Sequence, residues 1–328
     1  MRLAEITGDD VEAVQELIES DAGYTERITG YPPGAADAQS LLMMRPEAIA
    51  EDAKVVLGVW DAEQLVAVVD LLRGYPNGYT GFIGLLEVHG GRQGEGVGRT
   101  AYELVERYVT EEWPEIRVLR LAVVDTNAEQ AAGFWQRLRF EATGEVKPYR
   151  YDKLESLARL YEKRLLWGHP GLVVKKSGIE GQGLFAAEPI AKGVVVSQLA
   201  GRTVTTAELQ QLLKNPPVDT ITVDDDEHLV LPSDPRPNIA YGNHSCDPNL
   251  WWVDAVTLET RRDIAAGEEV TNDYGTSTGV PFKMECRCGS ALCRGVVTGD
   301  DWRRPELQER YGDHWIPALL KRQRGLER

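Results

Sequence analysis

Three of the four cysteines in this 328-residue chain fall in one run, Cys286-Arg287-Cys288-Gly289-Ser290-Ala291-Leu292-Cys293, which reads C-x-C-x4-C. Thiols this close can converge on one point, and Gly289 permits the turn that brings them there. Zinc takes four thiolates in a tetrahedron at about 2.3 Å. The cysteine left to complete the set is Cys246. Cys246, Cys286, Cys288 and Cys293 are therefore the predicted ligands, with no thiol to spare. The spacing is not the C-x-x-C of a redox pair. A closed four-thiolate site has no open position, so its expected role is structural: it would pin residues 286–293 against the segment around Cys246.

Cys246 lies in Asn243-His244-Ser245-Cys246-Asp247-Pro248-Asn249. Upstream stands Gly181-Gln182-Gly183-Leu184-Phe185-Ala186, and downstream Gly267-Glu268-Glu269-Val270-Thr271-Asn272-Asp273-Tyr274. In order and spacing these runs, followed by the cysteine-rich tail, resemble the signature of SET-domain lysine methyltransferases, over residues 172–302. The resemblance implies that Gly181, Gln182, Gly183, Asn243 and His244 bind S-adenosylmethionine through side chain or backbone, the two glycines allowing close backbone approach. It also implies that Tyr274 is the active-site tyrosine, whose hydroxyl orients the acceptor amine. Tyr241 is a candidate second catalytic residue in the acceptor channel, and Trp251 a candidate wall. A plain core role competes with each of these assignments. Methyl transfer to an amine is an in-line displacement, so positioning supplies much of the rate. The amine must attack in its neutral form, which a desolvating channel promotes. Asn272 departs from the family pattern: the residue two before the tyrosine is usually Phe or Tyr and tunes how many methyl groups are added.

A second constellation lies in the first half. Gln93-Gly94-Glu95-Gly96-Val97-Gly98-Arg99 follows a strand predicted over 82–88 and opens a helix predicted over 99–109. Strand, glycine turn and helix N-terminus together present free N–H groups and a positive dipole end to an anion such as a pyrophosphate. A dinucleotide-binding turn would need G-x-G-x-x-G after the first strand of its unit; here the strand is the third or fourth and the spacing is Q-x-x-G-x-G. With Val88, Asn127, Phe134-Trp135 and Leu138-Arg139-Phe140, the turn resembles the GNAT acyltransferase family, over residues 1–165. The resemblance implies that Gln93, Gly94, Gly96, Gly98 and Arg99 hold the pyrophosphate arm of acetyl-CoA, and that Val88 and Asn127 line its path. Glu87 sits where a general base would deprotonate an acceptor amine, with a structural charge as the competing role. Two positions depart from the family. Its usual tyrosine acid is Trp135, whose indole cannot act as an acid, and its usual glycine before Phe140 is Arg139. Tyr149 and Tyr151 are the candidates to replace the missing acid.

The elements that must position these residues follow from periodicity. Residues 9–20 carry Val11, Val14, Leu17 and Ile18 on one helical face. Runs at 55–60 and 65–72, separated by Asp61-Ala62-Glu63, read as a hairpin. Residues 117–124 read as a strand and 128–138 as a helix, while 151–165 fits strand or helix equally. The second half reads as short strands at 172–174, 194–196, 220–223 and 229–231, with a helix at 206–213. The expected fold is therefore α+β in two domains: a GNAT-like domain with a central mixed sheet over 1–165, a linker at 166–171 marked by Gly and Pro breakers, a β-rich SET domain over 172–285, and a zinc-bound post-SET tail over 286–328.

Length alone also suggests two domains at roughly 150 residues each, and 42% apolar content is enough for a core in each. The net charge of −16 argues against general nucleic-acid binding and suits a basic peptide or amine partner. No apolar run is long enough to span a membrane, no signal-like segment opens the chain, and clustered cysteines fit a reducing compartment, so a cytoplasmic protein is expected. The combined expectation is a bifunctional transferase that modifies amines from two donors. The alternatives are a non-catalytic acetyl-CoA-binding domain attached to a methyltransferase, or an enzyme for small-molecule amines. Oligomeric state is not legible.

Overall fold

The computed structural model describes the whole chain except residues 48, 216–217 and 327–328. It divides into two compact units, Met1–Leu165 and Leu166–Arg328.

In the first unit β1 (Arg2–Glu5) is followed by three helices, α1 (Val11–Ser20), α2 (Ala22–Thr29) and α3 (Asp37–Met43), then β2 (Lys54–Asp61), β3 (Gln64–Arg73), β4 (Thr80–Val88), α4 (Val97–Glu112), β5 (Val118–Val124), α5 (Ala128–Arg137), β6 (Glu141–Tyr151) and β7 (Leu154–Arg164). The strands form one seven-stranded sheet in the order β1-β2-β3-β4-β5-β7-β6. Helix α1 buries Val14, Leu17 and Ile18, and α4 buries Val97, Ala101, Tyr102, Val105 and Val109, the spacing of a helix with one apolar face. Residues 151–165 resolve as strand: β7 pairs with β5 on one side and β6 on the other. The edge strand β6 is exposed along nearly its whole length, so it shows none of the alternation that a half-buried strand would.

The joint between β4 and β5 decides where a ligand can enter. These two strands are parallel and pair from Thr80↔Val118 to Ile83↔Leu121. Beyond Ile83, β4 stays paired with β3 as far as Val88, and β5 stays paired with β7 as far as Val124, but β4 and β5 no longer bond to each other. The sheet opens as a wedge at that end.

The second unit contains β8 (Trp167–Gly168), β9 (Leu172–Lys176), β10 (Gln182–Ala186), β11 (Val195–Gln198), β12 (Arg202–Val204), α6 (Thr206–Leu212), β13 (Thr220–Asp224), β14 (Glu227–Val230), β15 (Asn243–His244), β16 (Leu250–Trp252), β17 (Thr257–Thr260), β18 (Glu269–Asn272), β19 (Lys283–Glu285), β20 (Val296–Thr298), α7 (Pro305–Tyr311) and α8 (Pro317–Leu326). They make small sheets in the orders β15-β18-β10-β9, β16-β17-β11-β8, β12-β14-β13 and β19-β20. The tail packs as the two helices α7 and α8: Leu307, Tyr311, Trp315, Ile316 and Leu319 join Trp252, Leu184 and Val270 in one core.

The segment expected as a linker, 166–171, contains strand β8. Trp167–Gly168 is a strand that pairs with Ser197 and Gln198 of β11. Gly168 read as a breaker, yet it is glycine for packing: a Cβ there would lie 2.5 Å from Ile239 Cγ2. Among the described residues no helix is long and apolar enough to cross a membrane.

Candidate functional site

The wedge in the first unit holds a cavity of about 480 Å³, lined by Glu87, Val88, Gln93, Gly94, Gly96, Gly98, Arg99 and Asn127. Every residue predicted for the acetyl-CoA site is on its wall. The loop after β4 turns through Gly94 at φ +80° and Gly96 at φ +85°, a left-handed backbone that glycine adopts without strain. Gly96 then begins α4 with no side-chain cap, which leaves the first-turn N–H groups directed at the cavity. Arg99 and Arg137 add positive charge to the wall. The donor set suits a diphosphate. Gln93 spends its side-chain N–H groups on Asp21 Oδ2 at 2.7 Å and the Val88 carbonyl at 3.3 Å, so its part in the turn is to brace it. Asn127 begins α5, and its Oδ1 accepts from Arg27 Nε at 2.7 Å.

Glu87 is 5% exposed, and its Oε1 has no hydrogen-bond partner among the described residues. Burial, reinforced by the nearby Asp21 and Asp37 and opposed by Arg27, pushes its carboxyl up to about 8. Tyr24, Asp21 and Arg27, all at or on α2, complete the wall. Sequence periodicity missed this helix because residues 22–29 bury only Thr25; the one available signal was Asp21, whose side chain caps it by accepting from Tyr24 N. Neither candidate substitute acid, Tyr149 or Tyr151, is among the residues lining the cavity. The Tyr149 hydroxyl donates to the Ile28 carbonyl at 2.8 Å, and Tyr151 is half exposed on β6. Trp135 sits in the core with its ring edge-on to Phe134 and Phe140.

In the second unit the predicted motifs meet on adjacent strands. Asn243 and His244 pair in parallel with Thr271 and Asn272, and β18 pairs on its other side with Leu184 and Phe185 of β10. The Asn243 amide donates to the carbonyls of Glu180 and Gln182 at 3.2 and 3.1 Å and to Glu269 Oε1 at 2.8 Å. Ser177 donates to the same carboxylate. A Cβ at Gly183 would collide with the Glu269 carboxylate, so that glycine also clears space for Glu269. Gly181, at φ +48° with nothing near its absent Cβ, remains open to a ligand.

His244 is 3% exposed. Its Nδ1 accepts from Tyr274 N at 3.2 Å, which assigns the proton to Nε2, 3.3 Å from Cys246 Sγ. Burial, partly offset by Asp273, lowers the imidazole to about 4, so the ring is neutral. With the ring committed on both nitrogens, only the backbone of His244 is available to a cofactor. The Tyr274 hydroxyl donates to the Gly242 carbonyl at 2.8 Å; burial and the nearby Asp219 push it up to about 12. Tyr274 lines a cavity of about 310 Å³ with Asp219, Ile239, Gly242, Asn272 and Phe282. Tyr241 is not part of that wall: Arg236 covers its ring, with Cζ 4.4 Å from the centroid, and is itself paired with Asp219 at 2.7 Å. Trp251 lies flat on His314, with ring centroids 3.4 Å apart.

The sulfurs of Cys246, Cys286, Cys288 and Cys293 all lie within 4.8 Å of one another. Cys246 and Cys286 are 3.7 Å apart, close to the roughly 3.8 Å edge of a zinc–thiolate tetrahedron with 2.3 Å bonds. Backbone N–H groups of Arg294 and Gly295 point at the Cys246 and Cys293 sulfurs. The residues fit a zinc ion. The residue after the last ligand, Arg294, reaches back from this cluster to Asp273, next to Tyr274, with contacts of 2.7 and 2.6 Å; Asp273 also accepts from the Tyr311 hydroxyl at 2.8 Å. Both charges are almost fully buried.

The sequence profile of the acetyltransferase (GNAT) family matches residues 14–140, and that of the SET domain matches residues 181–275. The chain joins a GNAT acetyltransferase domain to a SET domain. It is 31% identical over 151 residues to the histone-lysine N-methyltransferase ash1 of Drosophila melanogaster, covering 41% of this chain and 7% of that protein. It is 30% identical over 158 residues to the histone-lysine N-methyltransferase Su(var)3-9 of Drosophila pseudoobscura pseudoobscura, covering 39% of this chain and 25% of the relative. The chain thus spans a quarter or less of the length of these relatives. A solved acetyltransferase from Thermus thermophilus aligns with 50% of this chain and 96% of its own at 21% identity and a TM-score of 0.39. Methyltransferases of the SET family use S-adenosylmethionine and GNAT enzymes use acetyl-CoA, so both halves point to a transferase.

In the SET domain, Arg294→Met strips the buried Asp273 of its counter-charge and should cost about 3–5 kcal/mol. The exposed pair Arg287–Glu180 serves as control: Arg287→Ala should cost under about 1 kcal/mol. Denaturant titration of the SET-domain transition measures both.

Proposed function

We propose that this chain is a bifunctional transferase. Its SET domain moves a methyl group from S-adenosylmethionine to the side-chain amine of a lysine in a protein, and its GNAT domain moves an acetyl group from acetyl-CoA to an amine. The observation that carries the first activity is the placement of Tyr274: its hydroxyl is fixed on the Gly242 carbonyl, one residue from the Asn243 amide that grips the Glu180–Gln182 turn. S-adenosylmethionine, when bound, supplies an electrophilic methyl on a sulfonium. Gly181, Gln182, the Asn243 side chain and the His244 backbone would hold it on one side of Tyr274, and the 310 Å³ cavity lies on the acceptor side. That cavity is lined mostly by apolar residues, which favours the neutral, nucleophilic amine. The likeness to histone-lysine methyltransferases and the net charge of −16 support a basic protein acceptor, and the four reduced thiols support a cytoplasmic setting. Radiolabelled S-adenosylmethionine with lysine-rich peptides should give labelled peptide. Tyr274→Phe should lower that rate by at least tenfold while S-adenosylmethionine binding, measured by calorimetry, stays within threefold. Unchanged rates would remove Tyr274 from the chemistry.

For the GNAT domain, acetyl-CoA when bound supplies an activated acyl group, its pyrophosphate arm on the N–H groups from Gly94 to Arg99. Glu87, buried and unpartnered at the edge of the wedge, takes the amine proton. A carboxyl must be ionised to act as a base, and this one holds its proton until about pH 8. The acetyl-transfer kcat/KM should therefore rise with pH through about 8 and level off above it, and Glu87→Gln should abolish the rise. Trp135 in the tyrosine's place favours a second reading, in which this domain binds acetyl-CoA without turnover; binding with no acetylated product from any of a panel of amines would establish it.

A further inference from the structure

Helix α2 adds to the GNAT cavity a cation that neither the glycine turn nor the proposed base uses. Arg27, in the last turn of that helix, lines the same cavity as Glu87. Its Nε donates to Oδ1 of the buried Asn127 at 2.7 Å, which holds the guanidinium in place. Among the described residues its two terminal nitrogens have no hydrogen bond or ion pair. The acids nearby do not take them up. Asp21 spends Oδ1 on Tyr24 N and Oδ2 on the Gln93 amide, and Glu87 keeps its Oε1 unpartnered. Burial pushes the Glu87 carboxyl up, and Arg27 is close enough to oppose that push, yet no ion pair joins the two side chains among the described residues. The helix is braced at both ends: Asp21 caps its start, and the Tyr149 hydroxyl donates to the Ile28 carbonyl at 2.8 Å. The guanidinium is therefore set in position before a ligand arrives. A carboxyl and a guanidinium that share one cavity and leave each other unpaired are two halves of a site for a molecule bearing both an amine and an acid.

We propose that the acceptor site of the GNAT domain takes a small amine that carries a carboxylate, an α-amino acid being the simplest such molecule, with Arg27 gripping the carboxylate and Glu87 receiving the amine. The inference rests on the acetyl-transfer reading of this domain. The planar fork of a guanidinium matches the two oxygens of a carboxylate, and an ammonium brought beside Glu87 favours its ionised form. Glu87 takes one proton from that ammonium. The nitrogen attacks the thioester carbon, and the C–N bond forms as the C–S bond breaks. The second nitrogen proton ends on the departing thiolate, and the proton on Glu87 passes to solvent. Arg27 stands apart from the reacting atoms and determines which amine enters. An amine without a carboxylate leaves the guanidinium desolvated and unpaired, which is the source of the discrimination.

Acetylation by the full chain, read by mass spectrometry, tests this with a panel of L-amino acids, the matching carboxamides, and a lysine peptide amidated at its C-terminus. The best amino acid should exceed its carboxamide at least tenfold in kcat/KM. Arg27→Gln should raise KM for that amino acid at least tenfold and for acetyl-CoA less than threefold, and so narrow the gap between acid and carboxamide. Arg27→Lys should restore part of the loss, since the charge returns without the fork. Equal rates on acid and carboxamide, or a peptide turned over faster than every amino acid, overturn the proposal and leave acetyl transfer standing. No product from any amine, with an amino acid bound by the CoA-loaded protein in calorimetry and that binding lost in Arg27→Gln, overturns acetyl transfer and supports the carboxylate site. Neither product nor amino-acid binding overturns both.

Discussion

The second unit is built around a convergence of four cysteine sulfurs. Four sulfurs lie within 4.8 Å of one another, and as thiolates they would repel strongly in so small a volume. A divalent cation held by the four sulfurs would resolve this and fasten the tail from Cys286 to Cys293 to the Cys246 segment. The second fastening is ionic: Arg294 leaves the cluster and pairs with Asp273 in the interior. His244 joins the two, with one ring nitrogen on Cys246 and the other on the backbone of Tyr274. Metal site, buried ion pair and proposed active-site tyrosine are thus one connected set of bonds, and a change in one is felt by the others.

The GNAT domain solves a different problem by a different route. Its cavity exists because two parallel strands pair for four residues and then part, each held by its neighbour on the far side. Glycines at positive φ let the loop after β4 turn into α4 with bare N–H groups. Glu87 and Tyr24, on the cavity wall, come from different elements, and Glu87 is buried without the solvent that would hold its usual ionisation. Burial of this kind is expensive, and its persistence is consistent with a catalytic use for Glu87.

Much of this was legible in the residues. Helices α1 and α4 announce themselves by apolar spacing, and the 55–72 hairpin by its two β-branched runs. The cysteine count named the four side chains that meet, and the glycine turn marked one wall of the first cavity. What stayed hidden has physical reasons. Helix α2 has no apolar stripe, so Tyr24 and Arg27 could not be placed beside Glu87. Edge strand β6 has no buried face to impose alternation. Gly168 and Gly183 are glycines because a neighbour needs the space, Ile239 in one case and Glu269 in the other, and a linear sequence does not show a neighbour distant along the chain. Nothing local in the sequence indicates that Arg294 is buried against Asp273.

Four sulfurs within 4.8 Å of one another bring the tail to the segment that follows His244, and zinc would bind them as a tetrahedron. Zinc-edge X-ray absorption on the purified full chain measures it directly. The prediction is one zinc per chain with four sulfur neighbours at about 2.3 Å. A spectrum with nitrogen or oxygen in the first coordination sphere, or a protein that folds and binds S-adenosylmethionine with no zinc at all, would contradict it.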